Sequence, residues 1–198
     1  MDEVVAVNRT ELGEHSHCIV PDGTTRIADA AFKRCTTLKT IRIPDTVVEI
    51  GMYAFDGCSN LQSVKLSHSI QRIEPCAFWN CSSLQRVVLP DTVVKIGSGA
   101  FYNCSNLQSI KIPKNTSYIG DNAFTGCLSL QHVDITCTDV TIGVGVFAQC
   151  RGLISVILPP KLDASHVFSY DMQPELIVGS TSGVESTRQS RYNAKRLI

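Results

Sequence analysis

The chain repeats itself every 23 residues, and few folds accept such a pattern. The coil is clearest at Leu84–Asn106, LQRVVLPDTVVKIGSGAFYNCSN. Its phenylalanine recurs as Phe32, Phe55, Phe78, Phe101, Phe124 and Phe147, six of the seven in the chain. Its cysteine recurs as Cys35, Cys58, Cys81, Cys104, Cys127 and Cys150, three residues after each phenylalanine. Isoleucine from Ile27 to Ile142 and leucine from Leu38 to Leu153 keep the same step. A fixed period of about 20 to 50 residues is the signature of a solenoid, in which each coil buries its neighbour's apolar face.

Within a coil, two columns two residues apart form the inner side of a short strand: Cys18, Ile41, Val64, Val87 and onward, then Val20, Ile43, Leu66, Leu89 and onward. β-Branched residues dominate both, as a pleated, half-buried surface favours. Proline ends five of these strands, at Pro21, Pro44, Pro90, Pro113 and Pro159, because it cannot donate to a ladder. A V-x-x-I segment follows, then A-F-x-x-C-x-x-L. The offsets of Ala54, Phe55, Cys58 and Leu61 predict one turn of tight helix. One domain is expected over 1–198: an N-terminal cap at 1–17, the array at 18–178 and a C-terminal cap at 179–198. The last full repeat gives way to a shortened coil around Phe168, a strand at Leu176–Val178, and a short helix announced by Ser182-x-x-Glu185.

Composition narrows the function classes. Formal charge is zero, which removes bulk electrostatics as an argument for nucleic acid or membrane. No run approaches the roughly 18 apolar residues of a membrane span. The N-terminus, MDEVVAVNRTELGEH, has acids where a secretory signal needs bases, so a cytoplasmic location is expected, with a surface-exposed or secreted, adhesin-like protein as the alternative. Nine cysteines, six in a regular column and three elsewhere (Cys18, Cys76 and Cys137), with no CxxC, read as reduced, buried, small apolar residues. Stacked coils would hold column side chains about 4.8 Å apart and parallel, wider than the roughly 3.8 Å between disulfide Cβ atoms.

The string LxxIxLPxxVxxIxxxAFxxC, repeated over about Cys18–Leu158, resembles the leucine-rich repeats of the BspA-like, or Treponema pallidum, type. The resemblance implies a leucine-rich-repeat horseshoe, a right-handed superhelix of β and 3-10-type segments with a parallel β-sheet on its concave face. It also implies protein–protein or surface binding, since many family members are adhesins. Function is therefore read as a non-enzymatic interaction scaffold binding a partner through the concave sheet, its oligomeric state open.

Two candidate binding regions stand out. On the solvent side of the strands run Ile19, Arg42, Lys65, Val88, Lys111, Asp134 and Ile157, beside a column holding Arg86. In-register strands would set Arg42 against Lys65, an unfavourable pairing that hints at an acidic protein partner, against the plainer reading of a solvated face. One residue past the phenylalanines, Trp79 and Tyr102 point outward one coil apart. They read either as an interface hot spot or as two rings stacked on each other. No cofactor, metal or catalytic site is expected. His15-x-His17-Cys18 lacks the second half of a metal finger, GSTSG has no following lysine, and no G-x-S-x-G occurs. An enzyme or metal protein built on the cap segments is the remote alternative.

Overall fold

The computed structural model describes residues 16–159, 166–168 and the strand at 175–178. The N-terminal cap before residue 16, the C-terminal cap and the Ser182–Glu185 helix lie outside the described residues.

Fourteen short strands fall on two faces among the described residues. The front face holds β1 (His17–Ile19), β3 (Thr40–Arg42), β5 (Ser63–Lys65), β7 (Arg86–Val87), β9 (Ser109–Ile112), β11 (His132–Ile135), β13 (Ser155–Leu158) and β14 (Glu175–Val178). The back face holds two-residue strands: β2 (Arg26–Ile27), β4 (Glu49–Ile50), β6 (Arg72–Ile73), β8 (Lys95–Ile96), β10 (Tyr118–Ile119) and β12 (Thr141–Ile142). The back strands form one continuous six-stranded parallel sheet. The front strands divide into two four-stranded sheets, β1-β3-β5-β7 and β9-β11-β13-β14. Pairing across full coils steps by 23, as in Ile41↔Val64 and Val133↔Val156. The shortened coil steps by 20, Ser155↔Glu175, so the strand predicted at Leu176–Val178 pairs in register with β13.

No helix occurs among the described residues, which corrects the tight helix expected at A-F-x-x-C. That segment is a chain of β-turns. Alternate N–H groups close local turns: Ala31 to Ala28, Lys33 to Ala30 and Cys35 to Phe32. The others donate forward to the next coil: Ala30 to Met52, Phe32 to Ala54 and Arg34 to Asp56. A helix would spend every N–H within its own turn; this segment shares half of them with the coil above. Two positions per coil adopt positive φ, one two residues before the phenylalanine and one two residues after it. They are Tyr53 and Gly57 in one coil, Gly99 and Asn103 two coils later.

The core is a set of single files. The six column phenylalanines are fully buried, with successive ring centroids 4.9–5.4 Å apart and nearly parallel planes. Phe168 extends the file, 5.9 Å from Phe147, so the shortened coil keeps its aromatic rung. Where proline is absent, Ser67 and Thr136 sit in its place and donate to the carbonyls of Val47 and Ile112, both at 2.7 Å. The glycine after the back strand is required by close approach: a Cβ on Gly97 would lie 2.5 Å from the Pro75 nitrogen.

Phe101→Ala should destabilise the array by about 3–5 kcal/mol, since neither adjacent rung can collapse into the space. Trp79→Ser, on the half-buried wall, should cost far less. Urea unfolding of the two variants checks this, and equal losses would reverse the inward and outward assignments.

Candidate binding face

The front strands bury alternate residues and turn the rest to solvent. Arg42, Lys65, Arg86 and Lys111 are all exposed there. Arg42 and Lys65 are register partners, and Arg86 pairs with Ser63, one row over. The division between β7 and β9 places these three on one sheet. Lys111 stands on the other, beyond Val88, which is 80% exposed. The two sheets stay joined through Gln108 N–H donating to the Gln85 carbonyl.

Among the described residues no carboxylate lies within 4.0 Å of any of these four cations. The back face differs. Arg26 pairs with Glu49 at 2.5 Å and Asp29 at 2.7 Å, Arg72 with Glu49, and Lys95 with Glu74 at 3.0 Å. Burial alone would raise the Glu49 carboxyl, but hydrogen bonds from Arg26 and Arg72, and their charges, hold it below its ordinary value. Two cations on the turns are paired as well, Lys33 with Asp56 and Lys114 with Asp91.

The second front sheet carries a shallow hollow of about 360 Å³ lined by Ser109, Lys111, His132, Asp134, Ser155 and Ile157. His132 Nδ1 lies 2.8 Å from Ser155 Oγ, and His17 Nδ1 lies 2.7 Å from Thr40 Oγ1 in the same row near the other end. Recurrence at both ends marks these pairs as products of register rather than a catalytic dyad.

Trp79 and Tyr102 are half-buried and stacked face to face, centroids 4.0 Å apart. The Trp79 ring also covers the Cα of Gly99, whose φ is +62°. Of the two sequence readings, the geometry matches mutual stacking. Their neighbour Tyr53, 38% exposed with Lys33 4.7 Å over its ring, was not singled out from sequence, because it sits at a turn position where no other coil carries an aromatic.

The candidate metal ligand His15 lies outside the described residues, and among those described no group of three His, Cys, Asp or Glu side chains could hold a metal ion. All nine cysteines are unbridged, and Cys76 alone is not buried. Each column thiol from Cys58 to Cys150 donates to the carbonyl of the preceding coil's phenylalanine, as Cys58 to Phe32 at 3.0 Å and Cys104 to Phe78 at 3.2 Å. That carbonyl already accepts the N–H of its own coil's cysteine, so the thiol fills its second lone pair.

The profile of the BspA type leucine rich repeat region matches residues 12–92 and 77–178, with 6 copies. The chain belongs to the BspA-type leucine-rich-repeat family. It is 34% identical to a leucine-rich repeat protein from Bacteroides ovatus, over 74% of this chain and 40% of that one, with a TM-score of 0.70. It is 33% identical to the T. pallidum leucine rich repeat protein TpLRR over 72% of this chain and 79% of that one, TM-score 0.55. A leucine rich cell surface protein from Faecalibacterium prausnitzii is 26% identical, over 73% of this chain and 48% of that one, TM-score 0.51. A search of the curated proteins finds no match. The chain thus spans less than half the length of the B. ovatus protein it resembles. BspA-type repeats, like other leucine-rich repeats, are in general non-enzymatic scaffolds for protein–protein interaction. No helix among the described residues is long and apolar enough to cross a membrane.

The thiol ladder sets a pH limit on the array. Burial raises the Cys58 thiol to about 12 and pushes Cys81, Cys104 and Cys127 well above their ordinary value. A group whose pKa rises on folding stabilises fully below its unfolded value, here 9.0, and loses that contribution as pH climbs toward its folded one. Stability should therefore fall between about pH 9 and pH 12, by roughly 1.4 kcal/mol per pH unit for each thiol still protonated in the fold. Urea midpoints measured across this window should drop, and Cys81→Ala with Cys104→Ala should flatten the slope. A slope unaltered by the two substitutions would mean that those thiols ionise freely in the native state.

Proposed function

We propose that the chain is a non-enzymatic binding solenoid that presents its front, concave face to a protein partner bearing an acidic patch. The observation that carries this reading is the contrast between the two faces. Arg26, Arg72 and Lys95 on the back sheet and Lys33 and Lys114 on the turns meet carboxylates within the protein, whereas Arg42, Lys65 and Arg86 stand together in solvent with no carboxylate within 4.0 Å among the described residues. Each exposed pair formed or forgone is worth only about 0–1 kcal/mol. The stability of the array therefore neither requires nor forbids the arrangement, and a partner's carboxylates give it a use. Lys111 extends the same charge across Val88. Trp79 and Tyr102, stacked on the wall, are a subsidiary contact.

A cytoplasmic location is the first proposal, supported by nine unbridged thiols. A surface location is the second, favoured by the F. prausnitzii relative described as a cell surface protein. Fractionation of native cells with thiol counting separates them.

Changing Arg42, Lys65 and Arg86 together to Ser should weaken capture of a labelled polyglutamate peptide roughly tenfold. The melting temperature should stay within about 2 °C of the parent, since all three side chains are exposed. Fluorescence anisotropy and circular dichroism give the two readings. Unchanged capture would reject the acidic-partner reading.

A further inference from the structure

In the hollow of the second sheet, side chains face solvent in two rows. Ser109, His132 and Ser155 form one; Lys111, Asp134 and Ile157 form the other. Lys111 and Asp134 are register partners on adjacent strands, yet no ion pair within 4.0 Å joins them. His132 and Ser155, by contrast, satisfy each other. Two opposite charges are thus side by side, Lys111 exposed and Asp134 half-buried, and both line the hollow.

We propose that the hollow is the second half of one recognition face, which takes an extended protein segment whose acidic residues meet Arg42, Lys65, Arg86 and Lys111 and whose single basic residue meets Asp134. The inference rests on the acidic-partner reading and adds the partner's charge order. Arg42 and Asp134 stand in one column four coils apart. At about 4.8 Å per coil that is about 19 Å, the span of about six extended residues. A uniformly acidic segment, or a nucleic-acid backbone, would bring an anion against Asp134, and like charges in contact are what an interface uses to reject a wrong partner. A segment that ends its acidic run with lysine or arginine meets an attraction at the same place. Ser109 and the exposed edge of His132 offer hydrogen-bonding groups to its backbone.

The experiment compares three labelled peptides of about eight residues against the full chain: all glutamate, and glutamate with a lysine at either end in turn. One lysine-ended peptide should bind about threefold to tenfold more tightly than all-glutamate. Asp134→Asn should abolish that advantage while improving all-glutamate binding, and Arg86→Ser should weaken every peptide alike. A preference that survives Asp134→Asn, or no preference at all with binding intact, overturns the charge order and leaves the basic triad standing. Failure of all three peptides to bind the parent chain overturns both readings. Unchanged melting curves for the two variants show that any loss comes from the surface.

Discussion

Coil-to-coil hydrogen bonding at a fixed step is the constraint on which the rest of the structure depends. Each coil is tied to its neighbours in three places: the front strands, the back strands and the turns that flank the phenylalanine. Back-face residues past the strand donate to the coil before, as Gly51 does to Ile27; turn residues donate to the coil after, as Phe55 does to Ala77. With every coil held from both sides at one register, the neighbour of any side chain is the residue one period away. Phenylalanine therefore stacks on phenylalanine and cysteine follows cysteine. No coil can shed its apolar face without exposing that of the next, which makes such arrays cooperative along one dimension.

The same rule creates an electrostatic difficulty. A repeat that copies a charged residue places like charge beside like charge at about 4.8 Å. The back face avoids this by alternating sign, Arg26, Glu49, Arg72, with Glu74 from the adjacent column taking up Lys95. Glu49 is shared by two arginines, and the network runs across four coils. The front face has no such alternation through Arg42 and Lys65, and its first anion in the column arrives only at Asp134. Both faces obey identical backbone geometry, so the difference lies wholly in which side chains occupy the solvent columns. That is where selection for a partner could act without disturbing the fold.

How much of this could be read from the chain follows the same division. Columns that meet themselves were legible: the strand pairs, the phenylalanine file and the inward Ile and Leu positions stand where the period puts them. Asn80 and Asn103 have positive φ, a region that asparagine enters more readily than most residues. The helix was misread because Ala54, Phe55, Cys58 and Leu61 satisfy helical offsets equally well in consecutive turns; periodicity reports which side chains share a face, not where the N–H groups go. The left-handed positions were partly advertised by Gly57, Gly99 and Gly126, then obscured by Tyr53 and Cys76 at equivalent sites. The break between β7 and β9, which separates Lys111 from the basic triad, has no counterpart in the repeat pattern, because the columns run through it without change. Pairings between columns, such as Lys95 with Glu74, depend on side-chain reach, which a single period does not encode.

The cysteine column shows why a repeated reactive residue need carry no chemistry. Its position requires a small side chain beside the phenylalanine rung and a donor for the remaining lone pair of the Phe carbonyl. Alanine meets the first need and not the second; serine meets both but brings a more strongly hydrated hydroxyl into a dry interior. The thiol is small, weakly polar and able to donate. A rigid interior of this kind has a consequence outside. The front-face charges are held at fixed spacing by the scaffold itself, so binding as proposed would order the partner and not the scaffold. On the proposed reading, a shallow face that sets Arg42, Lys65, Arg86 and Lys111 before Asp134 would discriminate by charge order, although each contact by itself is weak.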